Sequence, residues 1–393
     1  MWFTQLTLTL VTALVAEGAP PATSNRAAYL DWSSFEANGV NLGGWLHQEQ
    51  VIDPVWWDAN GGAGLLDEWD WCANLGSQCG PRLEQRYASF ITAADIDKMA
   101  AARINVLRIP TGYNAWVQVP GSPLYTGSQT RFLRTISDYA IRRHGIHIIV
   151  DIHSLPGGVN NLGLGGREGR HDWFNNQTAL DYSYKAVDAA LKFIQESDFP
   201  DKFTLQPLNE PVDNPAAFGF PDALTDAGAA WVLSYFRGVL ARVQAANANI
   251  PIMLQGSFRP VSFWSPSFAD TDNIVFDVHN YYFAGRPTTS ANLPQFLCED
   301  AQNAVDDRFP VFVGEWSIEA SSNNTLANRP RNLNTGLKAW AQYTQGSSFW
   351  TWKFRGNVPV NGEGTQAEYW DYEEYVDAGF IDAGTGQECP TTT

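Results

Sequence analysis

Two glutamates stand where a pair of carboxylates can work on one bond. Glu210 closes the run Leu205-Gln206-Pro207-Leu208-Asn209-Glu210, and Glu315 closes Val311-Phe312-Val313-Gly314-Glu315. A short apolar run bounded by a turn signal reads as a strand buried on both faces. A carboxylate at its last residue is held by rigid core and projects into the space beyond. In a barrel of parallel strands, that space is the face that carries chemistry. Two carboxylates presented in this way are what acid/base and nucleophilic chemistry at a sugar acetal requires. Either one alone reads equally well as the cap of a loop, so the pair is weighed with the other polar strand ends.

Those ends carry a consistent set. Arg108-Ile109-Pro110 ends the second candidate strand, Asp151-Ile152-His153 the third and Asn209-Glu210-Pro211 the fourth. Asp277-Val278-His279-Asn280-Tyr281 ends the sixth, Glu315-Trp316 the seventh and Trp350-Thr351-Trp352-Lys353 the eighth. An arginine ending a buried strand is costly unless paired, so Arg108 is expected to meet a carboxylate. His153 and His279 fall at the same end as the glutamates and are read as site residues, not as core histidines bonded to backbone.

The elements that must position these residues alternate along the chain. Strands are expected at 40–42, 106–109, 146–152, 203–208, 252–255, 274–278, 311–314 and 348–352. Helices are expected near 93–102, 130–143, 179–196, 227–246, 293–305 and 335–345. In the second of these, Phe132, Leu133, Ile136, Tyr139 and Ala140 share one face and Gly145 supplies a stop. This alternation reads as α/β, a single (β/α)8 TIM barrel with loop insertions. Residues 53–90 read as a long loop insertion and 355–389 as a tail with no clear element; there is no internal repeat and no interdomain linker.

Bulk properties narrow the setting. With 393 residues, 44% of them hydrophobic, one barrel with insertions accounts for the chain. The 16 Trp exceed ordinary core needs, so part of them is expected in a groove, where flat rings stack on sugars or flavonoids. A formal net charge of −17 argues against nucleic acid and anionic membrane surfaces as partners. Residues 2–16 are apolar and uncharged and precede a Pro/Ala/Ser/Thr stretch, so 1–19 is read as a secretory signal, leaving 20–393 as a single catalytic barrel domain. The even count of four cysteines then suggests two disulfides, with three pairings open. Cys72–Cys79 would close a short loop, and Cys298–Cys389 would tie the C-terminal tail to the barrel. Asn176 and Asn323 head glycosylation triplets in polar stretches.

Seven motifs in order resemble glycoside hydrolase family 5, in its fungal exo-β-1,3-glucanase-like branch. They are Asn-Leu-Gly-Gly-Trp at 41–45, Arg-Ile-Pro at 108–110, Asp-Ile-His at 151–153, Asn-Glu-Pro at 209–211, His-Asn-Tyr at 279–281, Gly-Glu-Trp at 314–316 and Phe-Trp-Thr-Trp-Lys at 349–353. The resemblance spans about residues 38–355 and takes in the insertion Asp67-Glu68-Trp69-Asp70-Trp71-Cys72. It implies Glu210 as general acid/base and Glu315 as nucleophile of a retaining hydrolase, with Asn209 bonding the sugar 2-hydroxyl. It further implies that Arg108 and Tyr281 hold the nucleophile ionised and oriented, that His153 and His279 bind hydroxyls or support the carboxylates, and that Trp352 floors the −1 subsite. Neither metal nor cofactor is implied; the partner is a carbohydrate or flavonoid glycoside.

One stretch departs from the glucanase pattern. His153-Ser154-Leu155-Pro156-Gly157-Gly158, with its longer continuation to Asp172-Trp173-Phe174, instead resembles the fungal diglycosidases called rutinosidases. A loop after the third strand can shape the pocket around the −1 sugar, so β-1,3-glucan and flavonoid diglycosides such as rutin both stand as substrates of a secreted, exo-acting enzyme. Outside that class, a non-catalytic carbohydrate-binding or cell-wall protein on the same barrel remains compatible with the fold. An endo-acting mannanase or cellulase fits less well, because the two insertions would close a pocket.

Overall fold

Among the residues described in a computed structural model (29–382 and 384–390), eight parallel strands close into a barrel in sequence order. They are β1 (Ala37–Asn41), β2 (Val106–Gly112), β3 (His147–Ser154), β4 (Phe203–Gln206), β5 (Ile252–Gln255), β6 (Ile274–Tyr282), β7 (Val311–Ala320) and β8 (Gly346–Phe349). The (β/α)8 reading is thus observed. The proposed signal at 1–19 lies outside the described residues. Among them, no helix is long and apolar enough to cross a membrane.

The two-residue alternation of each strand builds the interior in layers. Val106, Ile149, Met253, Val275 and Phe312 form a buried apolar plug with Trp32, whose indole N–H donates to Thr204 Oγ1 at 2.9 Å. Two residues further along, the same strands present Arg108, Asp151, Gln255 and Asp277, all buried. The outward residues Leu107, Ile109, Ile148, Val150 and Leu254 join the main core beneath the helices. Apolar residues on both faces, interrupted by charge at one level only, are why these strands read as continuous hydrophobic runs.

Five crossovers carry the expected helices, at Ala93–Ala101, Gln129–His144, Gln177–Gln195, Asp226–Asn247 and Leu293–Asn303. The next one begins earlier than expected, at Arg329–Tyr343, because Pro330 opens its first turn. The insertion is not a plain loop: it folds into the helices Pro54–Trp57, Glu68–Leu75 and Cys79–Ser89. Asp53 and Asp67 cap the first two, accepting from the Trp56 and Asp70 N–H groups. Cys72 is bonded to Cys79 and Cys298 to Cys389. The tail likewise contains helices, Ala367–Trp370 and Tyr372–Asp377, docked where the Thr351 N–H donates to Trp370 O at 2.9 Å.

Candidate active site

The polar layer converges above the plug at the C-terminal rim, and two strand irregularities aim it. In the β6–β7 pair, Val278 opposes Val313 but His279 opposes Glu315, so Gly314 is an extra residue. A side chain at Gly314 would collide with the Asp277 carboxylate at 2.2 Å, whereas the bare N–H donates to Asp277 Oδ1 at 2.6 Å. The bulge turns Glu315 toward the barrel axis. In the β2–β3 pair, Thr111 opposes Ile152 and Gly112 opposes Ser154, which leaves His153 as the extra residue.

Glu315 is nearly buried and doubly held. Its Oε1 accepts from Arg108 Nη1 at 2.7 Å, and its Oε2 accepts from the Tyr281 hydroxyl at 2.8 Å. Arg108 is fully buried. It donates also to Gln206 Oε1 at 2.7 Å and Asn209 Oδ1 at 2.7 Å, and lies 3.0 Å from Asp151 Oδ2. Burial opposes its charge, but Asp151, Glu315 and Asp277 more than offset that and hold it ionised. The carboxylate expected opposite Arg108 is therefore present. Burial, followed by the charges of Glu315 and Glu210, pushes the Tyr281 hydroxyl well above its ordinary value, so it remains a donor.

Glu210 lies four residues past the end of β4, at φ +42°, with its N–H donating to Gln255 Oε1 at 2.8 Å. A fixed side-chain amide thus pins a backbone turn that L-residues adopt at some strain. His279 bridges the carboxylates: Nδ1 is 2.8 Å from Glu210 Oε1 and 3.5 Å from Glu315 Oε2, and Nε2 is 3.1 Å from Asp277 Oδ2. Burial would depress its proton affinity, but Glu315 and Asp277, with hydrogen bonds to Asp277 and Glu210, raise it to about 10. His279 is therefore a buried cation, donating from both nitrogens. Glu210, His279 and Glu315 each present an atom within 4.8 Å of the other two.

His153 is the opposite case. Burial, the largest influence, lowers it to about 3, so it is neutral; Nδ1–H donates to Asp151 Oδ2 at 2.7 Å, and Nε2 accepts from Asn209 Nδ2 at 3.3 Å. It orients Asn209 and stacks on Trp350, with centroids 5.6 Å apart and planes at 15°.

Trp352 corrects the expectation placed on it. Fully buried away from the cavity, it donates its indole N–H to Asp95 Oδ1 at 3.3 Å, and of the two tryptophans following β8 it is Trp350 that lines the pocket. Strand β8 stops at Phe349, so the alternation that would put 350 and 352 on one face no longer holds. Glu49 was not singled out from the sequence, because it lies in a turn with no strand signal. It lines the cavity, and its Oε1 is buried without a hydrogen-bond partner among the described residues. Burial, and then the charges of Glu315 and Glu210, push this third carboxyl well above the usual carboxylate range.

Above this floor is a cavity of about 780 Å³. Leu162 and Leu164, from the loop after β3, line one side; Trp370 and Phe354, from beyond β8, line another. Phe218, Phe220, Phe258 and Phe283 also line the cavity, with Phe220 49% and Phe283 44% exposed. Of the two glycosylation candidates, Asn323 is exposed, while Asn176 is half-buried and caps a helix by accepting from the Ala179 N–H.

Residues 76–356 match the family described as cellulase (glycosyl hydrolase family 5). The chain is similar to the rutinosidase of Aspergillus niger, whose crystal structure superposes with a TM-score of 0.89 at 52% identity over 90% of this chain and 100% of that one. The crystal structure of AoRut superposes with a TM-score of 0.88 at 53% identity, over 91% and 99% of the two chains. A probable glucan 1,3-β-glucosidase A, also of Aspergillus niger, is 30% identical over 83% of this chain and 85% of its own.

Proposed function

The chain belongs to glycosyl hydrolase family 5, and on that premise we propose that it is a secreted exo-β-glycosidase acting with retention on flavonoid diglycosides such as rutin. The observation that carries the substrate class is that one cavity is lined both by the catalytic carboxyls and by several phenylalanines, two of them exposed. A glucan offers hydroxylated rings throughout. A flavonoid glycoside offers sugar at one end and a flat aromatic body at the other, which suits stacking among Phe218, Phe220, Phe258 and Phe283. The cavity's volume of about 780 Å³ suits a disaccharide joined to an aromatic aglycone, and Leu162 and Leu164 of the loop that departs from the glucanase pattern line it. The similarity to a rutinosidase supports the same reading.

In the proposed reaction Glu315 attacks the anomeric carbon while Glu210 protonates the departing oxygen. Water then attacks the glycosyl-enzyme bond, Glu210 takes its proton, and Glu315 is released. Oxygens within 4.8 Å suit direct attack rather than the wider spacing, about 6.5–9.5 Å, that an intervening water needs in inversion. Charged His279 donates to Glu210 and so steadies the carboxylate left after proton transfer. One Nδ2 hydrogen of Asn209 is used on His153; the other would serve the 2-hydroxyl. The unpartnered Oε1 of Glu49 would bond a further sugar hydroxyl. The mature domain is proposed as 20–393, following a signal at 1–19.

The test is parallel hydrolysis of rutin and laminarin by the purified protein, with product anomers followed by NMR. Rutinose and quercetin are expected, the β-anomer of rutinose appearing first, and glucose release from laminarin is expected to be negligible. Glucose released stepwise from laminarin with rutin untouched would replace the diglycoside reading with the glucanase one, on the same floor residues. Glu210→Gln should reduce turnover about 10²–10⁴-fold, with the thermal transition preserved.

A further inference from the structure

We infer that Trp370, supplied by the C-terminal tail, is a positioning residue that fixes Tyr281 against the nucleophile Glu315. This rests on the reading of Glu315 given above. Among the described residues, the Tyr281 hydroxyl at 2.8 Å and Arg108 Nη1 at 2.7 Å make the two short hydrogen bonds to Glu315, so the stance of the Tyr281 ring sets one of the two bonds that aim the carboxylate. That ring is half-buried on β6 and is backed by the Trp370 indole, stacked at 5.1 Å with planes at 21°.

Trp370 is itself fixed from three sides. Its indole N–H donates to Glu319 Oε2 at 2.5 Å, Phe354 packs on it at 5.6 Å, and its carbonyl accepts from the Thr351 N–H. Glu319 lies on β7, the strand that carries Glu315. Burial raises its proton affinity, and the reaction described above makes no use of it. The two residues close a ring of contacts, from Glu315 through Tyr281 and Trp370 to Glu319 and back along β7. The tail thereby enters the site as a support for the catalytic geometry. Because Trp370 also borders the cavity, a role as mere wall has to be separated from positioning.

A set of variants makes that separation on a rutin assay, with near-UV circular dichroism as the check on folding. Trp370→Ala is expected to lower kcat roughly ten- to a hundredfold with KM little changed, as misplacement of a reacting group does. Trp370→Phe, which keeps a flat ring, should recover most of kcat. In a Tyr281→Phe background, Trp370→Ala should add little, since the bond it positions is already gone. A rise in KM with kcat intact would make Trp370 a substrate wall and overturn the inference. So would losses that multiply independently in the double variant. Glu315→Gln, run alongside, tests the nucleophile reading itself: if that variant keeps full activity, the failure lies there and not with Trp370.

Discussion

At the scale of single residues, the site depends on which groups are charged when buried. Arg108 and His279 are the cations of the floor, and Asp151, Asp277, Glu210 and Glu315 surround them. A buried ion pair contributes modestly while intact, but removing one partner leaves the other charge stranded. Arg108→Met is therefore expected to destabilise the fold by about 3–5 kcal/mol in denaturant titration and to abolish turnover. A variant as stable as the parent would show that the surrounding carboxyls are neutral. The need to pair Arg108 was legible in the sequence. The identity of the partners was not, because Glu315, Asp151, Gln206 and Asn209 come from three other strands and their ends. Likewise His153 and His279 look alike as letters at strand ends, yet one is neutral and the other charged. The difference lies in the summed charge of the neighbours that the fold brings to each.

At the scale of elements, the strands were readable because their two buried faces write apolar runs, and the long helices because their stripes repeat with a 3.6-residue period. The insertion and the tail were not. Their helices are short, so no periodic stripe develops, and the caps at Asp53 and Asp67 were the available signal. These pieces shape the pocket. The Glu168 N–H donates to Asp67 Oδ2 at 2.6 Å, and His47, neutral because burial lowers it to about 3, donates from Nε2 to Leu164 O at 2.9 Å. The insertion and the turn after β1 thus clamp the loop that presents Leu162 and Leu164. Asp67→Ala should loosen that wall: KM for rutin is expected to rise about three- to tenfold, as loss of a hydrogen bond contributing about 1 kcal/mol would cause, with little change for a small aryl β-glucoside. Equal effects on both substrates would place the damage at the floor instead.

For the whole molecule, the buried histidines govern stability in acid. His147, at the foot of β3, is pushed down to about 3, chiefly by burial, and its Nε2 is 2.8 Å from Thr204 Oγ1. Its ordinary value is 6.5. Between pH 6.5 and 3 the unfolded chain takes up a proton that the folded chain refuses, so stability falls as the pH falls through that window. His147→Gln should flatten the slope of stability against pH there by about 1.4 kcal/mol per unit, as read from urea unfolding at a series of pH values; an unchanged slope would show that His147 is solvated. The order of strands, the barrel, the cysteine count and the two glutamates were determined by the sequence alone, because burial on both faces and chain order leave local, periodic marks. The tertiary structure decided that Trp350 and Trp370, and not Trp352, line the pocket, and that Glu49 and several phenylalanines line it with the two glutamates. Those depend on where a strand stops, where a bulge inserts a residue and how far a tail reaches back, and such long-range contacts leave no period in the chain.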